Sequence, residues 1–154
     1  MTTIRVELQG QPVAKGRPRF TRQGRAYTPP KTREAEARIL NAWRIAAGNR
    51  APHSGPVTVE LIATFTPAQS WPAWKRQLAH AGAWPHTQRP DIDNLLKVID
   101  GLNGSAWLDD SQITAASVIK KFGTAPSTVL LITLHPAETP TKEKSTNATN
   151  TKHV

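Results

Sequence analysis

The sequence predicts an α+β fold: a small mixed or antiparallel sheet packed with two or three helices, in the order β-α-β-α-α-β-β. Three observations carry this. In residues 57–65, Val57, Val59, Leu61, Ala63 and Phe65 alternate with Thr58, Glu60 and Thr64, the period-two pattern of a half-buried strand. In residues 31–47, Ala35, Ile39, Trp43 and Ala46 recur at helical spacing instead. Strand-like and helix-like runs interleave along 154 residues, a length suited to one domain with a real core.

Taken in order, Ile4, Val6 and Leu8 alternate with Arg5 and Glu7, a strand closed by Gly10 and Pro12. Residues 14–30 set Gly16, Pro18, Gly24, Pro29 and Pro30 among cations, which predicts a loop with a loose hairpin around Gln23-Gly24. A helix from about Lys31 to Ala47 meets its stop at Gly48-Asn49. The strand at 57–65 is bounded by Pro56 and Pro67. Residues 68–88 carry Trp71, Trp74 and Trp84, with a short helix over about 72–82. The next helix spans about Asp93 to Asn103, burying Leu95, Leu96, Ile99 and Leu102, and Gly101 and Gly104 stand near its C-terminus. Residues 113–122 and 128–135 read as two strands joined as a hairpin through Gly123 to Ser127. From Pro136 onward almost no apolar residue remains. The domain is therefore expected over 1–135, with a disordered polar tail over 136–154.

Charge narrows the class of partner. The net charge is +9 and the pI about 10.5, a footprint of nucleic-acid binding. Lys15, Arg17, Arg19, Arg22, Arg25, Lys31 and Arg33 follow one another with no intervening acid. Lys15, Arg17, Arg19, Arg22 and Arg25 are the candidate DNA phosphate contacts, which set affinity and position rather than base choice. The chain has no cysteine, which excludes disulfides and thiolate metal sites. No apolar stretch approaches the roughly 18 residues of a membrane span, and no secretory h-region follows Met1. The expectation is a soluble protein of the cytoplasm.

Against this basic background, Asp91, Asp93, Asp109 and Asp110 crowd into one short region with Lys97. Clustered carboxylates repel a polyanion unless a divalent cation lies between them. Mg²⁺ takes oxygen ligands, commonly one or two carboxylates with water and substrate phosphate. Asp91 and Asp93 share a face if that segment is extended, and Lys97 stands one helical turn beyond Asp93. For Asp109 or Asp110 to join them, the chain must return beside the helix start. The plainer reading makes Asp93 an N-cap, Lys97 its i,i+4 partner and Asp109-Asp110 a turn. An EF-hand loop is a poor match because Leu95 and Leu96 stand where it needs a ligand and a glycine. A Walker loop fails on the order of its Gly and Lys.

The run R-P-D-I-D-N-L-L-K, followed by D-G-L-N-G and W-L-D-D-S-Q-I, closely resembles the signature of the RusA family of Holliday junction resolvases. P-V-A-K-G-R-P-R-F with Y-T-P-P-K-T resembles the basic motif of its phage-type members, which suggests a phage or prophage origin in a bacterial host. The resemblance covers roughly residues 4–135. It implies a homodimeric, Mg²⁺-dependent crossover junction endodeoxyribonuclease, with Mn²⁺ a candidate substitute, that cuts opposed strands of a four-way junction in DNA recombination and repair. By position, Asp91, Asp93 and Asp110 would bind metal and Lys97 would match the family's essential lysine. Asp100 and Asp109 align with acidic positions of unassigned role.

The alternatives are a metal-dependent glycosyltransferase using Asp91 and Asp93, which lacks its larger nucleotide-binding domain here, and a non-catalytic DNA-binding module whose acids only cap helices. Tyr27 and the tryptophans are candidates to stack on unpaired bases, although Trp43 and Trp107 suit a core better. Trp43 and the 57–65 strand are candidates for either a dimer contact or monomer core. His53, His80, His86 and His135 show no ligand spacing.

Overall fold

The computed structural model describes residues 1–137. Strand β1 spans Thr2–Gln9, followed by a two-stranded hairpin, β2 (Arg19–Phe20) and β3 (Ala26–Tyr27). Helix α1 (Pro30–Ala47), strand β4 (Val57–Phe65) and helix α2 (Ala73–His80) come next. Helix α3 (Ile92–Leu96) continues as a 3₁₀ helix over Lys97–Leu102. A 3₁₀ turn at Asp110–Gln112 then leads into β5 (Ile113–Phe122) and β6 (Ser127–Leu134). The fold is α+β with a four-stranded mixed sheet.

The sheet order is β1-β6-β4-β5. Strand β6 is antiparallel to both β1 and β4, while β4 and β5 run parallel. This corrects the expected hairpin of the last two strands, because β4 lies between them. Strand β4 is the most buried strand, and a strand of that kind needs a neighbour on each side. The link from β5 to β6 therefore passes around the end of β4. There the Gly123 amide donates to the Phe65 carbonyl at 2.9 Å, and a Cβ on Gly123 would stand 2.6 Å from the Thr64 side chain. Only glycine fits this crossing without displacement.

Period-two alternation gives the sheet one apolar face. Register aligns Val6, Leu130, Leu61 and Val118 in one cross-strand row and Ile4, Ile132, Val59 and Ala116 in the next. Helix α1 covers this face with Thr32, Ala35, Ile39 and Trp43; Ala46, expected on the same stripe, is exposed. The α3 segment adds Leu95, Val98, Ile99 and Leu102, so Val98 takes the buried place expected of the half-buried Leu96. Val98 stands three residues after Leu95 and shares its face at ordinary helical spacing, whereas Leu96 falls off that stripe. Gly101 has a packing role, since a Cβ there would come within 2.9 Å of the Glu36 backbone on α1.

Trp43 and β4 are monomer core, as is Trp107. Among the described residues, no helix is long and apolar enough to cross a membrane. The expected tail lies, from Glu138 onward, outside the described residues.

Candidate active site

The first half of the candidate site rests on α3. Asp91 occupies the N-cap position with extended backbone, yet its side chain makes no capping hydrogen bond. Asp93 stands in the first turn, so the N-cap place that the plainer reading gave it belongs to Asp91. Both are exposed and leave their carboxylates directed to solvent. Lys97 lies 3.9 Å from Asp93, with side chains 55% and 69% exposed, a pair of little energetic weight that leaves both groups available to a ligand.

The segment entering α3 is fixed from the sheet. The peptide between Arg89 and Pro90 is cis. Lys120 on β5 donates to the Gln88 carbonyl at 2.6 Å and to the Pro90 carbonyl at 3.0 Å. Sequence reading assigned Lys120 no role; a cation in a strand carries no local sign of the carbonyls it will meet.

The basic loop docks onto this acidic segment. The Lys15 amide donates to the Asn94 carbonyl at 3.0 Å. Its ammonium donates to Asp100 at 2.7 Å and lies 3.7 Å from Glu36. The hydrogen bond that Lys15 donates to Asp100 is the main cause raising the Lys15 pKa above its ordinary 10.5, with the Asp100 and Glu36 charges adding to it against partial burial. The Gly16 amide donates to the buried Thr32 hydroxyl at 2.9 Å, tying the loop to the first turn of α1. Lys15 is thus engaged within the protein, whereas Arg17, Arg19, Arg22 and Arg25 are exposed. Arg19 sits on the β2–β3 hairpin and Arg22 and Arg25 in and beside its turn, where Gly24 takes φ +79°.

One result is a cleft lined by Arg17, Arg89, Pro90, Asp91 and Asn94, adjoining a second lined by Lys15, Arg17, Asn94, Lys97 and Asp100 among others. Arg89 and Asn94 are the site residues that sequence reading passed over, although both lie within R-P-D-I-D-N. A roomier cavity opens elsewhere, between Ser54, Thr58, Gln112 and His135, and holds no carboxylate. Phosphodiester chemistry needs carboxylates and arginines, and only the smaller clefts hold both.

Asp109 and Asp110 lie apart from this cleft. Asp109 caps the 3₁₀ turn: it accepts from the Ser111 amide at 3.0 Å, while the Gln112 side chain accepts from the Asp109 amide at 2.8 Å. The Ser111 bonds hold the Asp109 pKa below its usual value. Gln112 in turn donates to the His53 and Gly55 carbonyls. Asp110 accepts from the Trp107 indole at 2.8 Å through one carboxylate oxygen. This turn leads into the N-terminal end of β5. Pro90 is bound to Lys120, seven residues along that strand, or roughly 20 Å at strand rise. Among the described residues, no three His, Cys, Asp or Glu side chains form a cation-holding group. The fold brings Asp91, Asp93 and Lys97 together with Arg17; it does not bring Asp110 to them within one chain.

The donors still suit a hard cation. Mg²⁺ commonly binds through only one or two carboxylates, and Asp91 and Asp93 offer two that no capping bond consumes. His53, His80 and His135 instead bond neighbouring backbone or hydroxyl groups, and His86 packs among aromatic rings.

Exposed carboxylates beside a basic loop, on a small α+β scaffold, suit the chemistry of a nucleic-acid phosphodiester. The family model described as endodeoxyribonuclease RusA matches residues 9–133, and the chain belongs to that family. It is a nuclease by membership, with DNA as the implied substrate. It is also similar to YqaN of Bacillus subtilis (strain 168), described as uncharacterized, with 30% identity over 141 residues covering 86% of this chain and 96% of that protein.

Proposed function

We propose that the protein is a Mg²⁺-dependent, structure-selective endonuclease that resolves four-way DNA junctions by paired hydrolytic cuts, acting as a homodimer in recombination and repair in the cytoplasm of a bacterial host. The observation that carries this reading is the cleft in which Arg17, from the basic loop, and Arg89 flank Asp91. Two guanidiniums beside a solvent-facing carboxylate suit a phosphodiester and a cation bound together.

Asp91 and Asp93 would hold the metal, with Asp110 as third ligand where a second chain supplies it. When bound, such an ion polarises a phosphoryl oxygen and eases ionisation of water. Arg17 and Arg89 bind the flanking phosphates and orient the scissile group; planar guanidinium suits this by its paired donors. Lys97, one helical turn from Asp93, places positive charge where the phosphate gains charge in the transition state. Lys15 acts indirectly, holding the loop through Asp100 and Asn94.

The sheet's outer face supports a homodimer. Ile62, Ile119 and Val129 share one cross-strand row there, partly exposed, with Leu131 beside them. An apolar row of this kind suits contact with a second copy, and two-fold symmetry suits the cutting of opposed strands.

Incubation with synthetic four-way junctions and matched linear duplexes, in Mg²⁺ and in EDTA, tests the reading. Symmetric paired nicks in Mg²⁺ alone are expected. Shifted but uncut junctions in both buffers would instead identify a binding module.

A further inference from the structure

We propose that Trp74 and Trp84, braced by Trp71 and Lys75, form a stacking platform for an unpaired nucleobase of the DNA beside the cleavage site, an assignment that rests on the nuclease reading above. Trp74 is 58% exposed, an unusual cost for the largest side chain. Its ring meets the half-buried Trp84 edge-on at 6.0 Å. The Lys75 ammonium sits 3.8 Å from the Trp71 ring centre and 5.0 Å from that of Trp84, joining the two rings through cation–π attraction. Trp71 packs on Phe122 of β5 at 5.2 Å. The platform is therefore anchored in the sheet below and open above.

Charge selects the occupant. No carboxylate occurs between Glu60 and Asp91, while Lys75, Arg76 and Arg89 fall in that interval. A second copy would meet like charge here, whereas a polyanion is attracted. Bases within a duplex already stack on each other, so an exposed indole can take only a base with a free face, as at a branch point.

Position ties the platform to the candidate site. Beyond Trp84, His86 stacks on Phe65 at 4.3 Å and packs tilted against Phe122 at 4.7 Å. Lys120 then fixes Gln88 and Pro90. Asp91 stands seven positions after Trp84, so the two lie within about 24 Å. Phe65, Phe122 and Lys120 share the sheet face that α3 covers, which sets platform and carboxylates on one side of the molecule.

The test uses the full chain in EDTA and follows anisotropy of a labelled short oligothymidine and of an abasic oligonucleotide with the same number of phosphates. The wild type should bind oligothymidine about tenfold more tightly. Trp74→Ala should erase that preference at unchanged melting temperature, and Trp74→Phe should keep most of it. Equal binding of the two oligonucleotides by the wild type, or a preference retained in Trp74→Ala, overturns the platform. So does a change from dimer to monomer in Trp74→Ala by sedimentation, which would assign the face to a second copy. Junction cutting by the wild type in Mg²⁺ separates the two readings. Cutting without base preference removes the platform alone, whereas a Trp74-dependent preference without cutting removes the junction-resolving reading and leaves the platform.

Discussion

The Lys15 ammonium lies 2.7 Å from an Asp100 carboxylate oxygen, across 85 residues of sequence. It holds the basic loop against the acidic segment, and with it the position of Arg17 beside Asp91.

Asp100→Asn should therefore impair junction cutting more than stability. The pair is partly exposed and solvent-screened, so its loss should cost under about 1 kcal/mol, read from the urea midpoint. Cutting should fall several-fold as the loop is released. Because Asp100 raises the Lys15 pKa, the pair's contribution is whole below the ordinary 10.5 and is lost only as pH rises through the higher folded value. Wild-type stability should thus show no loss from this pair near neutrality. Unchanged cutting in Asp100→Asn would remove the proposed tether.

Asp93→Asn should abolish cutting and leave junction affinity within a few-fold of wild type, since the side chain is 69% exposed and contributes only a weak ion pair. Asp110→Asn should do the same. The two carboxylates belong to segments at opposite ends of β5, so a site using both draws Asp110 from a two-fold partner. Dimers co-expressed from Asp93→Asn and Asp110→Asn chains should then recover measurable nicking. Continued inactivity of verified mixed dimers would show that Asp110 is not supplied in this way.

Arg17→Gln and Arg89→Gln should each weaken junction binding and flatten its salt dependence. Every phosphate contact removed should lower the slope of log affinity against log salt by about 0.9. Titration at several salt concentrations measures this, and an unaltered slope in both variants would place the DNA elsewhere.

His86 provides a pH test. Burial, and secondarily the Lys120 charge, push its pKa below the ordinary 6.5. The unfolded chain takes up a proton near 6.5 while the folded chain resists until lower pH. Stability is therefore whole above 6.5 and declines as pH falls toward the lowered folded value. Replacing His86 by Phe, which can keep the stack on Phe65 and Phe122, should flatten the drop in melting temperature between pH 7 and 5. A drop as steep as the wild type's would assign the acid sensitivity to other groups.

Particular residues show how far the sequence reached. Alternation through Val57–Phe65 and helical spacing through Ala35, Ile39 and Trp43 announced their elements, because one element's burial is written in its own period. The same periods could not say that β5 lies beside β4 and apart from β6. Likewise R-P-D-I-D-N marked Asp91 and Asp93, whereas Arg17, Lys120 and Asp100 could be related to them only by folding.

By itself the sequence determined the element types, the basic character of the 15–33 segment and the grouping of Asp91, Asp93 and Lys97, since these depend on covalent neighbours and local periodicity. The tertiary structure decided the rest: Arg17 beside Asp91, Lys15 on Asp100, the tryptophans over Phe122, and Asp110 at the far end of β5. Those distances follow from which apolar faces pack together and which strands share hydrogen bonds, and charge along a chain carries no record of either.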